Sequence, residues 1–85
     1  MFFHITGSHS YDTCHAHDSE KVNTQKAAFD SAAKHGIKIH YNCVNRLTHT
    51  TFLLAEADTY EAVEAMFDPI LELGHYEIVP VVNRS

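Results

Sequence analysis

The chain has no tryptophan, only three glycines, two prolines and two cysteines, and just six lysines and arginines in 85 residues. Each shortage excludes something. Two cysteines cannot build the disulfide lattice of a small secreted scaffold. Six scattered cations against eleven acids, a net charge of −5 with histidine neutral, leave no stripe that could track a phosphate backbone, so a nucleic-acid partner is not expected. No apolar run approaches the roughly 18 residues of a membrane span, and the opening MFFHITGSHS is too short and polar for a signal peptide. The expectation is a soluble, cytoplasmic protein without a membrane partner. Cys14 and Cys43 then read as reduced thiols rather than as a bridge.

What is abundant is apolar residues, at 45%, and histidine, with eight copies. That composition is globular, and residues 1–85 have room for a single domain. A domain this small buries only about 60–65% of its unfolded surface, so association with another copy would help it.

Phe2 to Thr6 is an apolar, β-branched run that reads as a first strand. A helix is predicted from about Glu20 to His35, capped by Asp18 or Ser19 and stopped by Gly36. Val22, Phe29, Ala32 and Ala33 would form its core face. From Ile37 to Val44 the pattern alternates, with Ile37, Ile39, Tyr41 and Cys43 on one side and Lys38, His40 and Asn42 on the other. Residues 45–48 read as a hairpin connection into a third strand, His49 to Ala55. Asp58 with Glu61 suggests a capping box for a second helix bearing Ala62, Val63, Met66 and Phe67, with Pro69 ending or kinking it and Ile70 to Leu73 as a last turn. Tyr76 to Val82 completes the set as a strand.

The order β-α-β-β-α-β is the ferredoxin-like α+β sandwich: a four-stranded antiparallel sheet with two helices on one face. Strands one and three become central and the fourth lies at an edge, where Pro80 is tolerated. Phe52, Leu53 and Leu54 make the third strand apolar on both faces. Helices can cover only one of them, so a homodimer through the other is expected.

In MFFHITGSHS, the YDTC loop, KIHYNCVNRLTHTTFLLAEAD and the closing YEIVPVV, the chain resembles the dimeric α/β-barrel superfamily of ferredoxin-like domains. More narrowly, it resembles a group of small, functionally uncharacterised bacterial domains within it. The resemblance implies two sheets facing each other across a dimer, with a cavity in each protomer. Members of the superfamily include cofactor-free monooxygenases, lactone isomerases, haem-handling proteins and stress-response proteins. None of their haem-ligand or catalytic motifs is found here, so no functional residue is carried over.

The chemistry-bearing stretch is GSHSYDTCHAHDSE, residues 7–20, which puts His9, Cys14, His15 and His17 within nine positions. In an extended loop His15 and His17 point the same way and could chelate one ion, with His9 or Cys14 as a third ligand and Asp12 as a fourth. Such a set suits Zn, Cu or Ni. The C-H-x-H spacing is not that of established zinc knuckles, and the same residues also read as a solvated surface loop. Cys14, shortly before a helix, could alternatively be a reactive thiolate. His4 is expected to face away from the helices, on the polar side shared by His40 and Asn42, and could act as a general base on a small aromatic or lactone substrate. The alternative is an interface histidine hydrogen-bonded to its dimer mate or to Tyr41, since a lone strand histidine is more often structural. His35 fits favourable placement at a helix C-terminus; His49 and His75 read as solvated. Glu56, Asp58, Glu61 and Glu64 read as a solvated acidic face.

The leading expectation is a small homodimer binding a transition metal or small-molecule ligand through loop 9–17. The alternatives are a cofactor-independent monooxygenase or isomerase with His4 as base, and a structural or stress-related dimer without site chemistry.

Overall fold

A computed structural model describes residues 1–10 and 18–84 of the chain. Strand β1 spans Phe2–Ser8, helix α1 Ser19–Asp30, strand β2 Lys38–Asn45, strand β3 Thr50–Glu56, helix α2 Tyr60–Phe67 and strand β4 His75–Val81. Short 3₁₀ turns at Ala32–His35 and Asp68–Leu73 follow the two helices. The strands form one antiparallel sheet in the order β2-β3-β1-β4. This is the ferredoxin-like topology anticipated from the element order, with β4 and its Pro80 at an edge.

The barrel implied by the resemblance is not formed. β2 and β4 are the two edges of an open sheet and do not pair with each other. Helices lie over only one face.

That inner face carries the core. Phe3 and Ile5 of β1, Leu53 and Ala55 of β3, and Val63, Met66 and Phe67 of α2 are all buried, together with Ile37 and Ile70. β1 alternates strictly, with Phe3, Ile5 and Gly7 inward and Phe2, His4, Thr6 and Ser8 half-buried on the outer face. This period-two pattern fixes the register, since a one-residue slip would expose the whole buried set.

Several boundaries depart from the expectation for physical reasons. The first helix breaks at Ser31, whose hydroxyl donates to the Ala28 carbonyl (2.6 Å). A serine that bonds back to its own helix competes with the regular ladder and tightens the last turn. Gly36 does terminate the segment, in the left-handed conformation (φ 71°), while Ile37 N donates to Ala32 O (2.9 Å). Asp18 caps α1 through Lys21 N (3.1 Å), but α1 buries only Ala28, and Val22 is 38% exposed rather than part of the core. The capping oxygen of α2 is that of Thr59, accepting from Ala62 N (3.1 Å), in place of the expected Asp58–Glu61 box.

The largest correction is in β2. The register against β3 shifts between Ile39 and Tyr41, leaving His40 as the extra residue of a β-bulge. Ile39 aligns with the buried Ala55, whereas Tyr41 aligns with Leu54 and Cys43 with Phe52, both on the outer face. Ile39 therefore faces the helices while Tyr41 and Cys43 face away. Asn42 and Val44, opposite Leu53 and Thr51, take the helix side.

Candidate functional site

Two places gather chemistry-bearing side chains: the outer face of the sheet, and the end of the sheet where β1 stops beside the β2–β3 turn.

On the outer face, the strand registers set residues in rows across the sheet. The central row runs Tyr41, Leu54, His4, Val79; beside it lies Cys43, Phe52, Thr6, Glu77. On the other side Lys38, Glu56, Phe2 and Val81 align. The middle of this face is apolar and its margins carry charge. Val79 is 53% exposed and Tyr41 40%, both large for apolar groups on one patch. The predicted double-sided apolarity of β3 is present: Leu53 is buried inside, and Phe52 and Leu54 stand half-buried outside.

His4 holds the centre of this band. Its ring meets Tyr41 edge-on at 6.4 Å between centroids. The expected neighbours divide. His40 does lie on the outer side, its ring tilted by 45° against Phe2 at 5.3 Å between centroids, with Nε2 donating to Glu56 Oε1 (2.9 Å). That hydrogen bond, with the lesser attraction of a charged imidazole, holds the Glu56 carboxyl below its ordinary range. Glu56 is thus hydrogen-bonded to His40 rather than standing free in an acidic face. Asn42 is turned to the helix side by the bulge and lines an open groove of about 320 Å³ between α1 and β2. A second open groove, of about 400 Å³, lies between α2 and β4 beside Tyr60, Glu64 and Tyr76. His4 lines neither groove.

At the sheet end, His9 follows the last β1–β3 pair, Ser8 with Thr50. His9 N donates to His49 O (3.2 Å), and the two rings meet, His9 Nε2 lying 3.2 Å from His49 Nδ1. The ring centroids are 5.0 Å apart and the planes inclined by 72°. His49 has a left-handed backbone (φ 54°) and closes the turn by donating from its N to Arg46 O (3.4 Å). Asn45 Oδ1 stiffens that turn by accepting from Leu47 N (3.0 Å) and Thr48 N (3.3 Å). His49, expected to be solvated, is instead half-buried against His9.

Of the expected metal set, only His9 lies within the described residues; Cys14, His15 and His17, with Asp12, lie outside them. Among the described residues no group of three or more His, Cys, Asp or Glu side chains is placed to hold a metal ion. Cys43 is a free, exposed thiol. Among the described residues no helix is long and apolar enough to cross a membrane.

His49 was missed because it lies 40 residues from His9 and no local spacing connects them. The only sequence signal was its position at the end of a hairpin turn that returns to the first strand.

No protein-family model matches the chain, and no curated protein matches it. The resemblance to the dimeric α/β-barrel superfamily is corrected accordingly: the ferredoxin-like topology stands, while neither closure of a barrel nor membership of that superfamily is supported.

Proposed function

We propose that the protein works as a homodimer whose two copies associate through their outer sheet faces and hold a small, partly apolar ligand against the band around His4. The observation that carries this reading is the row Tyr41, Leu54, His4, Val79, which sets three apolar side chains and one imidazole side by side on a face with no helix over it. Exposed apolar residues are ordinary when scattered; continuous rows of them on one sheet face mark an association surface.

Size supports a second copy as the occupant. Four strands about 4.8 Å apart and seven or eight residues long at about 3.3 Å each span roughly 19 by 23–26 Å, of which side-chain relief makes a larger accessible area. This is the scale of one side of a modest protein interface, for which about 800 Å² per partner is typical. Sheets packed face to face interdigitate apolar side chains across about 10 Å. Charged Lys38, Glu56 and Glu77 stand towards the margins, where a polar rim is tolerated.

The cofactor-independent enzyme reading draws on the same place. His4 would be the base, in a cavity that would have to form between the two copies.

The test is sedimentation velocity at micromolar concentration, on the natural sequence and on Val79→Lys. Val79 is 53% exposed in the single chain, so the substitution leaves the fold intact. In a face-to-face dimer it buries an unpaired ammonium, and the dissociation constant should rise at least tenfold, about 1.4 kcal/mol or more. A natural sequence that sediments as a 9.6 kDa species overturns the reading. A dimer insensitive to Val79→Lys moves the contact away from this face.

A further inference from the structure

We infer that the open edge of β4, with the groove beside α2, binds an extended peptide carrying a basic side chain, which adds to the sheet as a fifth strand. The inference does not rest on dimerisation, because a contact through the outer face leaves both edges of the sheet open.

The ladder determines which backbone groups of β4 point outward. In an antiparallel pair, residues that exchange hydrogen bonds with the residue opposite alternate with residues that do not. His9 N donates to His49 O (3.2 Å) and Ala57 N to Met1 O (2.9 Å), one position beyond either end of the β1–β3 register. Both bonds set the same parity: Phe3, Ile5 and Gly7 bond towards β3. Phe2, His4, Thr6 and Ser8 therefore bond towards β4, where they meet Val81, Val79, Glu77 and His75. The intervening Tyr76, Ile78 and Pro80 turn their backbone groups to the open edge. Pro80 agrees, since its missing N–H falls on the side where no ladder bond is needed. The edge thus presents the N–H and C=O of Tyr76 and Ile78 and the C=O of Pro80, with no strand beyond them among the described residues. A short run of this kind is a template for strand addition.

The helix side of the same edge selects the occupant. Tyr76 and Ile78, opposite Gly7 and Ile5, face the helices yet are only half-buried, because the groove of about 400 Å³ separates them from α2. Phe67 and Leu71 give this groove an apolar lining, and Tyr60 adds an aromatic ring. Glu64 and Asp68 bring two exposed carboxylates to it, and neither has an ion-pair partner among the described residues. Like charges four residues apart repel, and carboxylates at the C-terminal end of a helix oppose its dipole. Among the described residues no lysine or arginine lines the groove to offset them. A cationic side chain relieves both costs and rests against the tyrosine rings. In an antiparallel fifth strand, the residue opposite Ile78 or Tyr76 shares its face, so its side chain enters the groove. A second copy paired edge to edge would instead crowd two acidic grooves together, which disfavours it as the occupant.

The probe is the heptapeptide Thr-Val-Thr-Lys-Thr-Val-Thr, capped at both ends, fluorescently labelled and titrated at low salt against the natural protein. The amide resonances of Tyr76 and Ile78 should shift most. Their exchange with solvent, faster than that of Glu77 and Val79 in the free protein, should slow on binding. Replacing the peptide's lysine by glutamate should weaken binding about tenfold or more. N-methylation of its valines and lysine, whose amides face β4, should abolish binding, whereas N-methylation of its inner threonines should be tolerated. Glu64→Lys, at an exposed position, should reverse the preference between the two peptides. No binding of the lysine peptide, equal affinity for the glutamate peptide, indifference to which residues are N-methylated, or shifts centred on β2 or the outer face each overturns the inference. The peptide comparisons use the natural protein and decide the matter even if Glu64→Lys fails to fold.

Discussion

Gly7 sits on the inner side of β1 between Thr51 and Tyr76, and a single added methyl there should be costly for one identifiable reason. A Cβ at position 7 would stand 2.9 Å from Tyr76 Cδ1 and 3.0 Å from its Cε1. The ring cannot simply swing away. Its hydroxyl donates to Ile70 O (3.1 Å), and its face lies against Phe67 at 4.7 Å between centroids. Its burial is deep enough to push the phenol above its ordinary range. Forcing such a packed group aside costs about 1–3 kcal/mol, and losing the hydroxyl's hydrogen bond adds about 0.5–1.5. Against this, alanine restricts the unfolded chain and returns about 0.4–1 kcal/mol, because Gly7 lies in ordinary strand backbone. Gly7→Ala should therefore destabilise by about 0.5–4 kcal/mol, centred near 2, read as a lower urea midpoint at unchanged slope. For a domain of this size the central value should lower the melting temperature by roughly 8–16 °C. The control reverses the sign: in a Tyr76→Leu background the obstructing ring is gone, and Gly7→Ala should become neutral or stabilising. A cost of equal size in both backgrounds would refute the steric account, as would a stabilising effect in the natural sequence.

Two further outcomes follow from the same structure. The Glu56 carboxyl is held below its ordinary 4.5 by the hydrogen bond from His40, so its contribution is fully present above the unfolded value and lost as pH falls through the depressed folded value. Glu56→Gln should flatten the stability profile on the acid side of pH 4.5 and leave it unchanged in shape near neutrality; an identical acid limb in the variant would contradict this. Asp18→Ala removes the cap of a helix that buries only Ala28, so amide exchange in α1 should speed up well before that in β1 and β3, with about 0.5–2 kcal/mol lost locally. Uniform acceleration across the chain would show that α1 does not open on its own.

Much of the scaffold was legible because it depends on local signals. Gly36 ended its helical segment, Pro80 marked an edge strand, and the Phe52-Leu53-Leu54 run gave away a strand with no polar face. Illegible features depend on geometry that no short window encodes. Back-bonding by Ser31 splits the first helix, and Thr59 rather than Asp58 caps the second, because hydroxyl and carboxylate compete for the same amides on small differences of angle. Of the candidate residues, His4 was placed on the outer face where the strand registers put it, whereas the hydrogen bond of His9 to His49 joins residues 40 apart and has no local signal. Cys14, His15 and His17 lie outside the described residues, so the structure leaves that part of the expectation where the sequence put it.

The bulge at His40 links the fold to the proposed association. With unbroken alternation from Ile39, the side chains of Tyr41 and Cys43 would turn towards the helices, and Asn42 and Val44 would stand outside. The register shift exchanges them. Asn42 and Val44 then line the rim of the α1 groove, where Val44 remains 66% exposed and an amide can stay wet. Tyr41 meanwhile extends the outer row through Leu54 to His4 and Val79. For a chain whose outer sheet face met only water this exchange would be perverse: it sends an aromatic ring outward and an amide inward, and leaves one residue out of the ladder. It becomes favourable once the outer face is buried, because the aromatic ring then gains apolar contact while the groove side loses little. The bulge is therefore independent of the apolar count on β3, yet it points to the same face as the proposed contact.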